Sequence, residues 1–141
     1  MLHYQLFIII GIQQSDVEKA PIFPVVLTSF NKWIESNDHL IRKKWIIITC
    51  GDWDLETMLP NQCALNNVPV PSYAKNWINI KKEFCRLERK EFNYQTNDLL
   101  QMITHFGLIH NGRLHSGKDD ILNLKNVIEK LCCKGILMKQ F

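Results

Sequence analysis

The run Trp45-Ile46-Ile47-Ile48-Thr49-Cys50 constrains this chain more than any other segment. It is β-branched and aromatic, does not alternate apolar with polar residues, and lies between the basic cluster Arg42-Lys43-Lys44 and Gly51. A strand that shows no alternation is one covered on both faces, as at the centre of an α/β sheet. Helices must therefore flank it. The 141 residues, 46% hydrophobic and 22% charged, suffice for one domain with a true core and exclude a disordered chain. No stretch approaches the roughly 20 apolar residues of a membrane-spanning helix. The apolar run Leu6-Phe7-Ile8-Ile9-Ile10 is short, without a basic flank or a small-residue cleavage site, so no secretory signal is expected.

Helical periodicity appears on both sides of the strand. Residues 21–37 carry Val26, Phe30, Trp33 and Ile34 at the spacing of a core-facing helix, entered through Pro21 and Pro24. A helix is expected to begin near residues 52–54, with Pro60 breaking it or starting a second turn. After the Pro69-Val70-Pro71 loop, Trp77-Ile78-Asn79-Ile80 reads as a second strand. Thr96 is placed to cap a helix bearing Leu99, Leu100, Ile103 and Phe106, which Gly107 ends. A final helix over about residues 118–134, closed by Gly135, presents Leu124, Val127, Ile128 and Leu131 on one face. The alternation predicts an α/β domain.

A net charge of +3 says little by itself, but its distribution is uneven. Arg42-Lys43-Lys44, Lys81-Lys82 and Arg86 with Arg89-Lys90 could line the path of an anionic ligand or form solvated faces. Cys50, Cys63, Cys85, Cys132 and Cys133 are odd in number and irregularly spaced. That pattern argues against structural zinc and a disulfide framework, and for an intracellular chain with reduced thiols.

Two segments carry candidate chemistry. Cys50-Gly51-Asp52-Trp53-Asp54 lies where the apolar strand ends, and ligands of open α/β sheets gather outside the carboxyl ends of strands. Asp52 or Asp54 can equally cap the following helix. The second segment, His115-Ser116-Gly117-Lys118-Asp119-Asp120, leads into the last helix. Asp120 precedes Leu124 by four residues and Val127 by seven, which puts it on the buried stripe, whereas Asp119 falls on a mainly polar side. An acid that faces a core must be paired, must cap the helix or must bind a metal. His115, on a Gly-containing loop, is mobile enough to act as a general base.

Taken together, the motifs resemble one family. Gly51-Asp52-Trp53-Asp54, Met58-Leu59-Pro60, Gln62-Cys63, Trp77-Ile78-Asn79-Ile80-Lys81-Lys82 and Gly112-Arg113-Leu114-His115-Ser116-Gly117-Lys118-Asp119-Asp120 with Asn123 closely resemble the Eri-type members of the DEDDh 3′-to-5′ exonucleases. Gly11-Ile12-Gln13-Gln14 with Val17 is similar to that family's Leu-Thr-Gly-Ile turn, and the likeness is strongest to the short forms that include the prion-protein-interacting and Snipper types. The resemblance implies a ribonuclease H-like fold and hydrolysis of RNA or single-stranded DNA from the 3′ end with two Mg²⁺ or Mn²⁺ ions. It also implies roles: Asp54 and Asp120 as metal ligands, His115 as general base, and Trp53 beside the 3′-terminal nucleotide, where it could stack or merely pack in the core.

One family motif is missing. The Asp-x-Glu of the first strand has no counterpart in residues 1–10, and Asp16 and Glu18 lie in a helical stretch. The expectation is a divergent segment 1–10 and a partial exonuclease domain over 11–141, lacking most of the first three strands. A sheet edge and part of the apolar surface would then be exposed. Two acids hold one divalent ion weakly, so metal binding and cleavage would be impaired. The competing reading is a catalytically inactive relative that binds nucleic acid or protein. No membrane partner is expected.

Overall fold

A computed structural model describes residues 12–37, 45–89 and 98–135. The chain forms two compact units, Pro21–Ile80, and Met1–Ala20 with Lys81–Phe141. In chain order, Gln14–Lys19 (α1) precedes Phe23–Glu35 (α2), and the strand Ile47–Thr49 (β1) follows. A π-helical turn, Asp54–Met58, runs into Leu59–Leu65 (α3), whose first turn holds Pro60, so the proline starts a new helical segment. A 3₁₀ turn, Ser72–Ala74, leads to Trp77–Asn79 (β2), and Ile80–Glu88 (α4), Leu99–His105 (α5) and Gly117–Cys133 (α6) complete the order.

Within the Pro21–Ile80 unit, β1 and β2 pair in parallel with the register Ile47↔Trp77, Ile48↔Ile78 and Thr49↔Asn79. Residues 50–76 supply the long crossover that parallel strands require. Residues 45–50 are half-buried, whereas the run was expected to be covered on both faces. Only Ile47–Thr49 is strand, because among the described residues β1 has a single neighbour.

The α2 helix forms where expected, with Pro24 in its first turn, but its stripe is not core. Val26, Phe30 and Trp33 are exposed, Trp33 by 53%, and Ile34 is half-buried. Periodicity shows that a face is apolar; covering it takes an element that the spacing does not specify. The rings instead contact one another, Phe30 lying 5.6 Å from Trp33 and 6.0 Å from Tyr73, and Tyr73 5.6 Å from Trp45. The Tyr73 hydroxyl donates to Asn31 Oδ1 at 2.6 Å; burial, and secondarily Cys63, hold its pKa above the ordinary value.

In the other unit, α1 is exposed along its whole length, with Asp16 accepting from the Gln13 backbone N–H and not on any strand. The α4 helix was not anticipated, although Phe84 and Leu87 follow Ile80 at helical spacing. Its residues Glu83, Phe84 and Cys85 are buried. The cap of α5 is Asp98, whose side chain accepts from the Gln101 N–H at 2.8 Å; Thr96 lies outside the described residues. Met102 and Ile103 are its buried residues and Leu100 is exposed, so the apolar face lies one step round from the predicted one. Gly107 (φ +62) ends α5 as a Schellman turn, the Leu108 N–H donating to Ile103 O and the Gly107 N–H to Thr104 O.

The α6 helix buries Leu124, Val127 and Leu131 as the spacing predicts, and Gly135 (φ +70) follows it. His105 packs edge-on against Phe84 and Phe106, each 4.9 Å away, and its Nε2 lies 3.0 Å from Glu88 Oε1. The five cysteines are free thiols. No helix among the described residues is long and apolar enough to cross a membrane.

Leu131 is fully buried and Trp33 half-exposed. In urea unfolding, Leu131→Ala should therefore lower stability by about 2–5 kcal/mol and Trp33→Ala by less than about 1 kcal/mol.

Candidate active site

Beyond the carboxyl end of β1, Gly51 (φ +136) turns the chain into a conformation that side chains rarely adopt. The next residue, Asp52, is only 4% exposed. Its Oδ1 accepts from Trp77 Nε1 at 2.9 Å, and its carbonyl accepts from the N–H groups of Leu55 and Glu56. Asp52 thus ties the turn to β2. Trp53 and Asp54 stand free of that task. Trp53 is 65% exposed, which excludes the core-packing alternative, and Asp54 is exposed, its carboxylate with no hydrogen-bond or ion-pair partner among the described residues.

The second segment is built on the first turn of α6. His115 is exposed and in the left-handed region (φ +61). The Asp120 N–H donates to the Ser116 carbonyl at 2.8 Å, and the half-buried Asp120 carboxylate is unpartnered among the described residues. Asp119, assigned by spacing to the polar side, is half-buried too. Its Oδ2 accepts from the Arg113 N–H at 3.0 Å, and this bond, then one from Ser116, holds its pKa below the ordinary carboxylate value. Helical spacing could not show this, because the bond comes from a loop folding back over the helix.

Asn123 is the residue whose importance the spacing missed. It is 1% exposed, accepts from the Asn111 N–H at 3.0 Å, and donates to the carbonyls of Asn111 (2.7 Å) and Asp119 (2.8 Å). Its signal in the sequence was the motif alone. Gly112 (φ +84) passes directly over Asp119, and a Cβ there would lie inside van der Waals contact of the carboxylate.

Trp53 and Asp54 thus belong to one unit, and His115 and Asp120 to the other. No group of three or more His, Cys, Asp or Glu suited to a metal ion occurs among the described residues. The unengaged oxygens of Asp54 and Asp120 nevertheless fit a hard divalent cation in kind. Of the basic residues, Lys82, Arg86 and Arg89 are exposed and Arg86 pairs with Glu83 at 2.5 Å; Arg42, Lys43, Lys44 and Lys90 lie outside the described residues.

Residues 5–128 match the family model described as Exonuclease (RNase_T), and the chain belongs to that family, in its Eri-type DEDDh branch. Its relatives include ERI1 exoribonuclease 3 of Homo sapiens, 39% identical over 131 residues that cover 92% of this chain and 38% of the relative. Another is 3′-5′ exoribonuclease 1 of Rattus norvegicus, 34% identical over 128 residues, 89% of this chain and 36% of the relative. The chain thus spans little more than a third of either. Among solved structures, the nuclease domain of 3′hExo, a DEDDh family member bound to rAMP, matches with a TM-score of 0.81 at 29% identity over 92% of this chain and 64% of that one. The ribonuclease H-like exonuclease fold read from the motifs is therefore the fold of this chain.

Two outcomes follow from the loop. Gly112→Ala should lower stability by at least about 1–2 kcal/mol, read by urea unfolding, because a left-handed φ is imposed on a residue with a Cβ that also meets Asp119. Asp119 has a depressed pKa in the folded chain, so its contribution is complete above the unfolded value of 3.8 and is lost as pH falls through the lower folded value. An Asp119→Asn chain should show a weaker loss of stability over that acid range, followed by thermal melts at successive pH values.

Proposed function

We propose that this chain is the catalytic-motif portion of a 3′-to-5′ exonuclease acting on RNA or single-stranded DNA. The observation that carries the reading is the His115-to-Asp120 segment, which offers an exposed imidazole and an unengaged carboxylate on one loop and helix turn. The exoribonuclease names of the relatives and the rAMP held by 3′hExo support RNA as the substrate class. Residues 11–141 form a partial exonuclease domain in this reading, and 1–10 a divergent lead-in.

Asp54 in one unit and Asp120 in the other are each a carboxylate that would ligate Mg²⁺ or Mn²⁺, an ion that supplies charge neutralisation at the scissile phosphate when bound. His115 accepts the proton of the attacking water at a ring nitrogen, a role open to an imidazole that faces solvent. Trp53 offers an exposed indole face on which the 3′-terminal base can stack, with no sequence preference. Lys82 and Arg89 add positive charge that draws an anionic strand to the surface of α4.

A second reading is a catalytically inactive relative that binds nucleic acid or protein, keeping the exposed indole of Trp53 and the basic residues Lys82 and Arg89 without cleaving. The two readings separate in one assay. A polypeptide of these 141 residues, given 5′-labelled single-stranded RNA and Mn²⁺, is expected to shorten the strand slowly, with His115→Ala lowering the rate by about 10²-fold or more and Asp120→Ala abolishing it. A ladder indifferent to both substitutions would remove the assigned roles. RNA binding with no ladder at all would establish the second reading.

A further inference from the structure

We propose that Asn123 and Asp119 are positioning residues, a two-point clamp on α6 that holds the loop 111–116 so that His115 is presented to solvent in its left-handed conformation. The role rests on the reading of His115 as proton acceptor. A non-glycine residue at φ +61 persists only where its surroundings over-determine the backbone. The surroundings here are specific. Asn123 treats Asn111 as a strand neighbour would, accepting from its N–H at 3.0 Å and donating to its carbonyl at 2.7 Å, while its second amide hydrogen is spent on the Asp119 carbonyl at 2.8 Å. Four residues earlier on the same helix, Asp119 accepts from the Arg113 N–H at 3.0 Å.

Residues 111 and 113 are thereby fixed on either side of Gly112, whose missing Cβ lets the chain pass over the Asp119 carboxylate. The Ser116 N–H donates to the Arg113 carbonyl at 3.3 Å, so only Leu114 and His115 remain between the second clamp point and the bond that closes the turn. Neither Asn123 nor Asp119 needs to touch a substrate for this. Only an amide fits position 123, since it must both donate and accept. A carboxylate would face two carbonyl oxygens, and a leucine of similar shape would leave the Asn111 N–H and C=O without their partner.

A role confined to helix stability would affect all of α6, whereas a clamp affects the loop. Amide hydrogen exchange by NMR on the 141-residue chain distinguishes them. Asn123→Ala and Asp119→Ala should each speed exchange at Asn111 or Arg113 by roughly tenfold or more and change the His115 backbone coupling, with Val127 and Leu131 amides unaltered. Asp119→Asn, which keeps an oxygen acceptor for Arg113, should restore slow exchange there. If Asn123→Ala does not fold, Asp119→Ala and its Asn rescue carry the test alone. Where cleavage is measurable, kcat should fall by about 10²-fold with KM little changed. Unchanged exchange at Asn111 and Arg113, or an equal rise along the whole of α6, overturns the clamp. Cleavage that survives His115→Ala overturns the proton-acceptor reading instead, and leaves the exchange result to stand for the loop.

Discussion

Three residue pairs in a parallel ladder set the geometry of the Pro21–Ile80 unit. Parallel strands cannot be joined by a tight turn, so pairing Ile47 with Trp77 obliges residues 50–76 to leave the sheet and return. The chain makes that departure at Gly51 and is then anchored by Asp52, whose buried carboxylate takes the Trp77 indole N–H. The consequence is a division of labour between adjacent acids. Asp52 is committed to the scaffold, and Trp53 and Asp54 are left exposed at the carboxyl end of the strand, where ligands of such sheets collect.

The other unit uses the same device with a neutral group. Asn123 is more deeply buried than Asp52, and a buried polar side chain is tolerated only when its hydrogen bonds are made. Three are made, all to backbone groups, which converts a flexible stretch into one with a fixed path. In both units a buried polar side chain immobilises backbone so that its neighbours can stay solvent-facing and chemically unengaged. Asp54 and Asp120 are two carboxylates that stay uncommitted among the described residues.

Reading the fold from residues succeeded where local rules are self-sufficient. The α2 and α6 helices, the Schellman turn at Gly107 and the new start at Pro60 follow from side-chain spacing, glycine and proline alone. It failed where a competing signal masked the local one. The basic residues Lys81, Lys82 and Arg86 were read as a charge cluster, although they sit on α4, whose apolar residues are interleaved with them. At α5 the cap passed from Thr96 to Asp98 because a capping oxygen must sit immediately before the helix, and the helix starts at Leu99.

The amino-acid sequence by itself determined the family, since the order and spacing of Trp53-Asp54, Trp77-Ile78-Asn79 and His115 through Asn123 are properties of the linear chain. It also determined which residues carry the candidate chemistry, because residue type decides what can accept a proton or meet a cation. Tertiary structure alone decided which polar groups are spent on the scaffold. Asp52 and Asp54 are equivalent in type and nearly so in position, as are Asp119 and Asp120, and apart from the motif resemblance nothing in the residues themselves separates the first pair. What separates them is a partner outside their own turn or helix, the Trp77 indole in one case and the backbone of Arg113 in the preceding loop in the other. Burial follows the same rule: the stripe of α2 is apolar by composition, but exposure is a property of what lies against it, and periodicity within a helix holds no information about its neighbours.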